Sequence, residues 1–178
     1  MMATTHAFAG LALVAPLAYV CPEFAAALAV GATVGGIAPD FDLVFAHRRT
    51  LHFPVAGLAV AVPAVALAAL SPSSPTVVAA AFAATAWLHA ASDAVGGGLE
   101  MDPWNDRTER AVYDHVNGRW LRPRRVIRYD GAPEDAAVAV ALAVPALVVF
   151  DDFAPIIVGG VAVSVCYALV RRRLVAWT

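Results

Sequence analysis

Six stretches of this chain carry no charged side chain: Ala7–Cys21, Phe24–Pro39, Phe53–Leu70, Thr76–Leu88, Ala136–Phe150 and Phe153–Val170. They run from 13 to 18 residues, at or just below the roughly 17–25 that a helix needs to cross a bilayer. Only 15% of the residues are charged and 61% are hydrophobic, against about 25% charged in ordinary soluble domains. The sequence therefore predicts an all-α, polytopic membrane bundle of about six transmembrane helices. A length of 178 residues fits one domain, 1–178, better than two.

Charge placement gives the topology. The chain has no lysine, and its twelve arginines fall at Arg48 and Arg49, at seven positions from Arg107 to Arg128, and at Arg171, Arg172 and Arg173, with the remaining connections free of arginine. With six spans, every one of these places lies on the same side. The positive-inside rule makes that side cytoplasmic, with both termini on it, in a plasma or inner membrane. Met1–Thr5 carries no basic side chain and no cleavage site follows the first run, so the run reads as a span, not a signal peptide. Cys21 and Cys166 fall toward opposite ends of their spans and are not expected to pair.

Breakers divide the chain into three hairpins: Pro22-Glu23, the Ser71–Pro75 cluster and Asp151-Asp152. Gly31, Gly35 and Gly36 suit close helix packing in lipid. Pro39 ends the second run. Residues 96–135 form the one sizeable polar region and read as a cytoplasmic loop. Its arginine-rich half, Arg119 to Arg128, is explained by topology, or by attraction to anionic lipid headgroups. It matches no nucleic-acid-binding module, so no stable nucleic-acid complex is expected.

The chemistry sits in the histidines. They occur as Thr5-His6; Pro39-Asp40-Phe41-Asp42 followed by His47-Arg48-Arg49-Thr50-Leu51-His52; His89-Ala90-Ala91-Ser92-Asp93; and Asp114-His115. His89 and Asp93, four apart, project from one helical face. Asp40 and Asp42 point the same way if extended, and two converging carboxylates repel without a cation between them. Taken singly, each group has a structural reading: a hydrogen-bonded pair, a helix cap, an interfacial residue. Asp114-His115 reads as a solvated pair. Yet His6, Asp40, Asp42, His47, His52, His89 and Asp93, from three chain segments, all fall at the cytoplasmic ends of predicted helices, where ionisable groups mark function. Four imidazoles and three carboxylates exceed one tetrahedral ion, so two or three divalent metals are expected. Zinc suits this donor mix best, and manganese or iron also fits.

These four motifs, Thr5-His6, Pro39-Asp40-Phe41-Asp42, His47 to His52 and His89 to Asp93, resemble in kind and order the YdjM-like family of predicted inner-membrane, metal-dependent hydrolases. The resemblance covers roughly residues 1–105. Leu51-His52-Phe53 departs from the family's Thr-His-Ser and loses two hydroxyls. The family is similar, distantly, to zinc-dependent phospholipase C and the P1-type nucleases. The resemblance implies a hydrolase that cleaves a phosphoester, in a phospholipid or another phosphodiester, with metal-activated water at the membrane surface. It assigns His6, Asp42, His47, His52, His89 and Asp93 as ligands and Asp40 as bridging ligand or base. Arg48 is either a phosphate clamp or an arginine that sets topology. Trp104 and Arg107 are candidates for the border of the headgroup site. The rival expectation is a membrane metal-binding or transport protein without hydrolysis, which the placement of the clusters at one end disfavours.

Overall fold

The computed structural model describes residues 1–175. It contains six helices: α1 (Ala3–Val20), α2 (Ala25–Ile37), α3 (Leu58–Leu70), α4 (Ser74–Ser92), α5 (Pro133–Val149) and α6 (Ala154–Val175). A two-stranded hairpin, β1 (Tyr113–Asp114) with β2 (Arg119–Trp120), lies between α4 and α5. Short 3₁₀ turns lead into α2 and α6, and a longer one, Ala38–Val44, continues α2 past Pro39. α4 starts where the Ser71–Pro75 cluster predicts. The Ser73 hydroxyl accepts from the Thr76 N–H, and the Thr76 hydroxyl accepts from the Ser73 N–H.

Phe8, Leu11, Leu28, Phe150 and Ile157 are buried, but much of the core is alanine and many large apolar side chains lie outside. Ala15, Ala18, Ala29, Ala32, Ala139 and Ala146 are buried, while Leu17, Val60, Leu67, Val148, Ile156 and Leu169 are exposed. Small residues inside bring backbones together, and large apolar ones outside suit lipid tails. The glycines of α2 show the first half of this. A methyl group at Gly31 would stand 2.6 Å from the Val78 carbonyl oxygen, and one at Gly35 would collide with that of Phe82. α2 therefore lies against α4 with nothing larger than hydrogen between them. α1 packs on α2 and α5, α3 on α4, and α6 on α5.

Among the described residues, three stretches are long and apolar enough to cross a membrane: Ala3–Val20, Pro22–Val44 and Asp151–Val175. The other three helices fall short of that description. α3 has 13 residues, α5 has 17 and begins with Glu134 and Asp135, and α4 has 19 but includes Ser, Thr and His.

The polar stretch after α4 folds back over the bundle. The N–H groups of Arg124, Arg125 and Val126 donate to the carbonyls of Ala94, Gly96 and Val95. The Tyr113 N–H donates to the Arg48 carbonyl at 2.9 Å. Asp114 is buried, not solvated, because its carboxylate accepts from the Val116 and Asn117 N–H groups and the Asn117 amide, closing the hairpin turn. His115 stays exposed and bonds the Arg49 carbonyl oxygen.

Candidate metal centre

Two helix ends and one irregular segment build the site. His6 stands in the first turn of α1, His89 and Asp93 at the end of α4, and Asp40, Asp42, His47 and His52 on or just after the 3₁₀ extension of α2. His6, His52, His89 and Asp93 are each exposed by no more than 2%. Such burial leaves every polar atom in need of a partner, and the partners divide cleanly between the two nitrogens of each ring.

Each Nδ1 points outward at an acceptor. That of His89 lies 2.7 Å from the Gly36 carbonyl oxygen, and that of His52 lies 2.9 Å from Asp42 Oδ2. That of His6 lies 3.2 Å from Ser92 Oγ, whose own proton goes to the His89 carbonyl at 2.9 Å. A carbonyl and a carboxylate can only accept, so the Nδ1 atoms of His89 and His52 carry hydrogen and in the neutral rings their lone pairs sit on Nε2, whereas His6 has a hydroxyl on one side and Asp93 Oδ1 on the other.

The Nε2 atoms then meet one another and Asp93. His52 Nε2 and His89 Nε2 are 3.2 Å apart. Asp93 Oδ2 lies 3.2 Å from the first and 3.6 Å from the second, and Asp93 Oδ1 lies 3.2 Å from His6 Nε2. Asp40 Oδ1 lies 3.4 Å from His89 Nε2 and 3.9 Å from His52 Nε2. Asp93 Oδ2 is buried without a well-aligned hydrogen bond. Arg48 Nε, at 3.5 Å, and the Met1 amine, 3.3 Å from Oδ1, offset the charge of Asp93. Neither places anything between the ring nitrogens.

Among the described residues, two sets of three are spaced as an ion would require: His6, His89 and Asp93; and Asp40, His52 and His89. In a tetrahedral site with bonds of about 2.0–2.1 Å, ligand atoms stand about 3.3–3.4 Å apart. The separations of 3.2 to 3.9 Å around the shared His52–His89 edge bracket that value. The donor set thus fits a divalent ion in composition and in spacing.

Asp42 and His47 lie one step back. The two Asp42 oxygens accept from the Arg48 and Leu51 N–H groups and face His47 Nδ1 and His52 Nδ1, both at 2.9 Å. This carboxylate orients His52 through the ring nitrogen that faces away from the cluster. Arg48 is buried, adopts a left-handed backbone (φ 56°), and donates from Nη1 to the Gly97 carbonyl at 2.9 Å, with those of Gly98 and Ala111 farther off. A phosphate would have to compete with those carbonyls for it.

Burial lowers the affinity of His52 for a proton, but Asp93 and Asp42 outweigh it and hold the ring above its ordinary value. A hollow of about 440 Å³ reaches the cluster from the side of the polar stretch, and Asp40, His47, Arg48 and Glu100 line it. The side chain of Asp40 is 19% exposed. Trp104 stands apart, against Tyr129 and under Arg171 and Arg172. Arg107 is exposed and turns back toward the Pro103 carbonyl.

Several positioning groups escape a reading of motifs. The Gly36 carbonyl and the Ser92 hydroxyl set two of the three ring orientations, although Ser92 lies inside the His89–Asp93 motif. Asp135, fully buried, fixes the start of α1 by accepting from the Met2 N–H and the Thr5 hydroxyl. In the sequence it reads, like Glu134 beside it, as an ordinary acid in the first turn of α5. No protein family model, curated protein or solved structure matches the chain.

Proposed function

We propose that this chain is a membrane-embedded, metal-dependent hydrolase that cleaves a phosphoester. One observation carries the reading: the Nε2 atoms of three buried imidazoles and both oxygens of one buried carboxylate converge, with separations of 3.2 to 3.6 Å. Electron pairs that close repel unless a cation lies among them. A proton on His52 Nε2 reaches Asp93 Oδ2 or His89 Nε2 but not both at once, whereas an ion among them would meet all three.

In this reading His52, His89 and Asp93 form the primary ligand set, with Asp40 completing it, and His6 with Asp93 Oδ1 marks a second position. Zinc is the first choice, with manganese or iron next. A divalent ion bound there would acidify water and stabilise charge developing on phosphate oxygens. Asp40, the one of these groups open to the adjacent hollow, is placed to take the water's proton and return it to the leaving oxygen. Asp42 and the Gly36 carbonyl keep His52 and His89 in the required tautomer. Hydrolysis adds water across one P–O ester bond and yields a phosphate and an alcohol. The arginine distribution favours six spans, with the site and both termini on the cytoplasmic side. The motif resemblance to the YdjM-like hydrolases supports the same reaction class.

The test is hydrolysis of bis-p-nitrophenyl phosphate by detergent-purified protein loaded with zinc, manganese or iron. The expected result is turnover abolished by a chelator and reduced at least ~100-fold in Asp40→Asn with metal retained. Turnover unaffected by chelation would contradict it. Metal bound without turnover of any phosphoester would favour the metal-binding or transport alternative.

A further inference from the structure

An apolar groove of about 770 Å³ runs between α3 and α4. Its floor is built from small residues of one α4 face, Ala79, Ala83 and Ala86, spaced four and three apart. Val60 and Ala64 of α3 form the facing wall. No ionisable side chain lines it, and the indole N–H of Trp87 is already given to the Pro54 carbonyl at 3.0 Å.

One end of the groove is formed by residues adjacent in the chain to the candidate metal centre, although the centre's ligands do not themselves line it. Pro39 and Phe41, the neighbours of Asp40, line it, and so do Leu51 and Phe53, the neighbours of His52. Beyond Asp40 the chain stays apolar and open: Phe41, Leu43, Val44 and Phe45 are exposed by 67 to 80%. Water would not favour that surface, whereas the acyl region of a membrane would. A groove of this volume lies within the usual range for a ligand site. Along α4 its lining runs from Ala79 to Trp87, about 12 Å of helix.

We infer that the substrate is a lipid phosphoester, whose alkyl chain lies in the α3–α4 groove with its phosphate at the Asp40–His52 end. This rests on the hydrolase reading and narrows it to substrates that reach the centre laterally from the bilayer. The apolar walls bind the chain, and the polar cluster acts on the ester at the point where chain gives way to headgroup. A water-soluble phosphodiester has nothing to place in the groove, so it forgoes that binding energy.

The experiment compares palmitoyl lysophosphatidylcholine with glycerophosphocholine, the same headgroup without a chain, in the metal-loaded full-length protein. The expected kcat/KM favours the lysolipid by at least about tenfold. Ala79→Phe/Ala86→Phe, which fills the floor, removes that preference, whereas Ala69→Phe, in a separate apolar hollow lined by Leu13 and Val65, keeps it. Equal rates for the two phosphodiesters, or a preference that survives the filled groove, would overturn the inference. If neither is cleaved and bis-p-nitrophenyl phosphate also survives, the hydrolase reading fails, and native mass spectrometry then decides the groove alone. One retained lysolipid per chain, lost in Ala79→Phe/Ala86→Phe, would sustain the chain site, and no saturable retention would end it.

Discussion

Two buried polar clusters stand near each other in this molecule, and they are built on opposite principles. Around Glu100, donors match acceptors. The Arg125 guanidinium, the Thr108 N–H and hydroxyl and the Gly98 N–H all converge on one carboxylate. Around Asp93 the match is poorer: the Nδ1 protons of His52 and His89 go to partners outside the cluster, and Asp93 Oδ2 has no well-aligned donor. A satisfied cluster stabilises a loop and asks for nothing more. A buried carboxylate oxygen without an aligned donor, beside ring nitrogens, is where the proposed ion would be held.

The difference can be broken at either cluster, and the largest effect is expected at the ring nitrogens. His52→Ala and His89→Ala each remove a ligand on the shared edge. Each should abolish metal binding and turnover while leaving far-ultraviolet circular dichroism unchanged. Metal retained at wild-type affinity in both would dissolve the contrast. Asp42→Asn keeps the shape but alters the partner of His52, and a loss of metal affinity of about 10–100-fold is expected, read by competition with a chromogenic chelator. An unchanged affinity would return Asp42 to a purely structural role.

At the satisfied cluster the readout shifts from metal to stability. Burial raises the Glu100 carboxyl, but Arg125 and the Thr108 donors outweigh it and hold it at about 2, against an ordinary 4.5. A carboxyl depressed in the folded state adds stability above its unfolded value, lost as pH falls from about 4.5 toward 2. Glu100→Gln should therefore cost on the order of 1–3 kcal/mol at neutral pH and little at pH about 2. Metal stoichiometry should not change, and a drop would mean the clusters are coupled through Arg48 and the 97–98 carbonyls. The smallest effect is expected at the surface. Arg128 and Glu134 form a bidentate pair at 2.7 and 2.9 Å, but Arg128 is 60% exposed. Arg128→Gln should leave detergent-phase stability close to that of the wild type.

Much of the site was legible from residue type and order. His6, Asp40, His52, His89 and Asp93 do meet, because imidazoles and carboxylates at helix ends of an apolar chain have few places to go. The division of labour among them was not legible. Asp40 and Asp42 are two apart in sequence, yet one faces the ring nitrogens and the other stands behind them. That follows from the 3₁₀ path after Pro39, which no spacing rule distinguishes from an extended one. The role of Arg48 is likewise hidden from any motif, since its left-handed backbone and its carbonyl partners 49 or more positions away exist only in the folded chain. The helical class and the α3–α4 turn were readable from breakers and apolar runs. The number of spans was harder, because α3 and α5 are short and α4 ends in the polar site itself. The hairpin over the site left no alternating pattern, since each of its strands is two residues long.

The central claim is that the Asp93 cluster is short of a cation. The direct test is metal content per chain by mass spectrometry of protein purified in mild detergent without chelators, beside a folded His89→Ala/Asp93→Ala variant. At least one equivalent of zinc, manganese or iron is predicted in the wild type, and none above background in the variant. A folded wild type that holds no metal, even after each ion is added back, would contradict it.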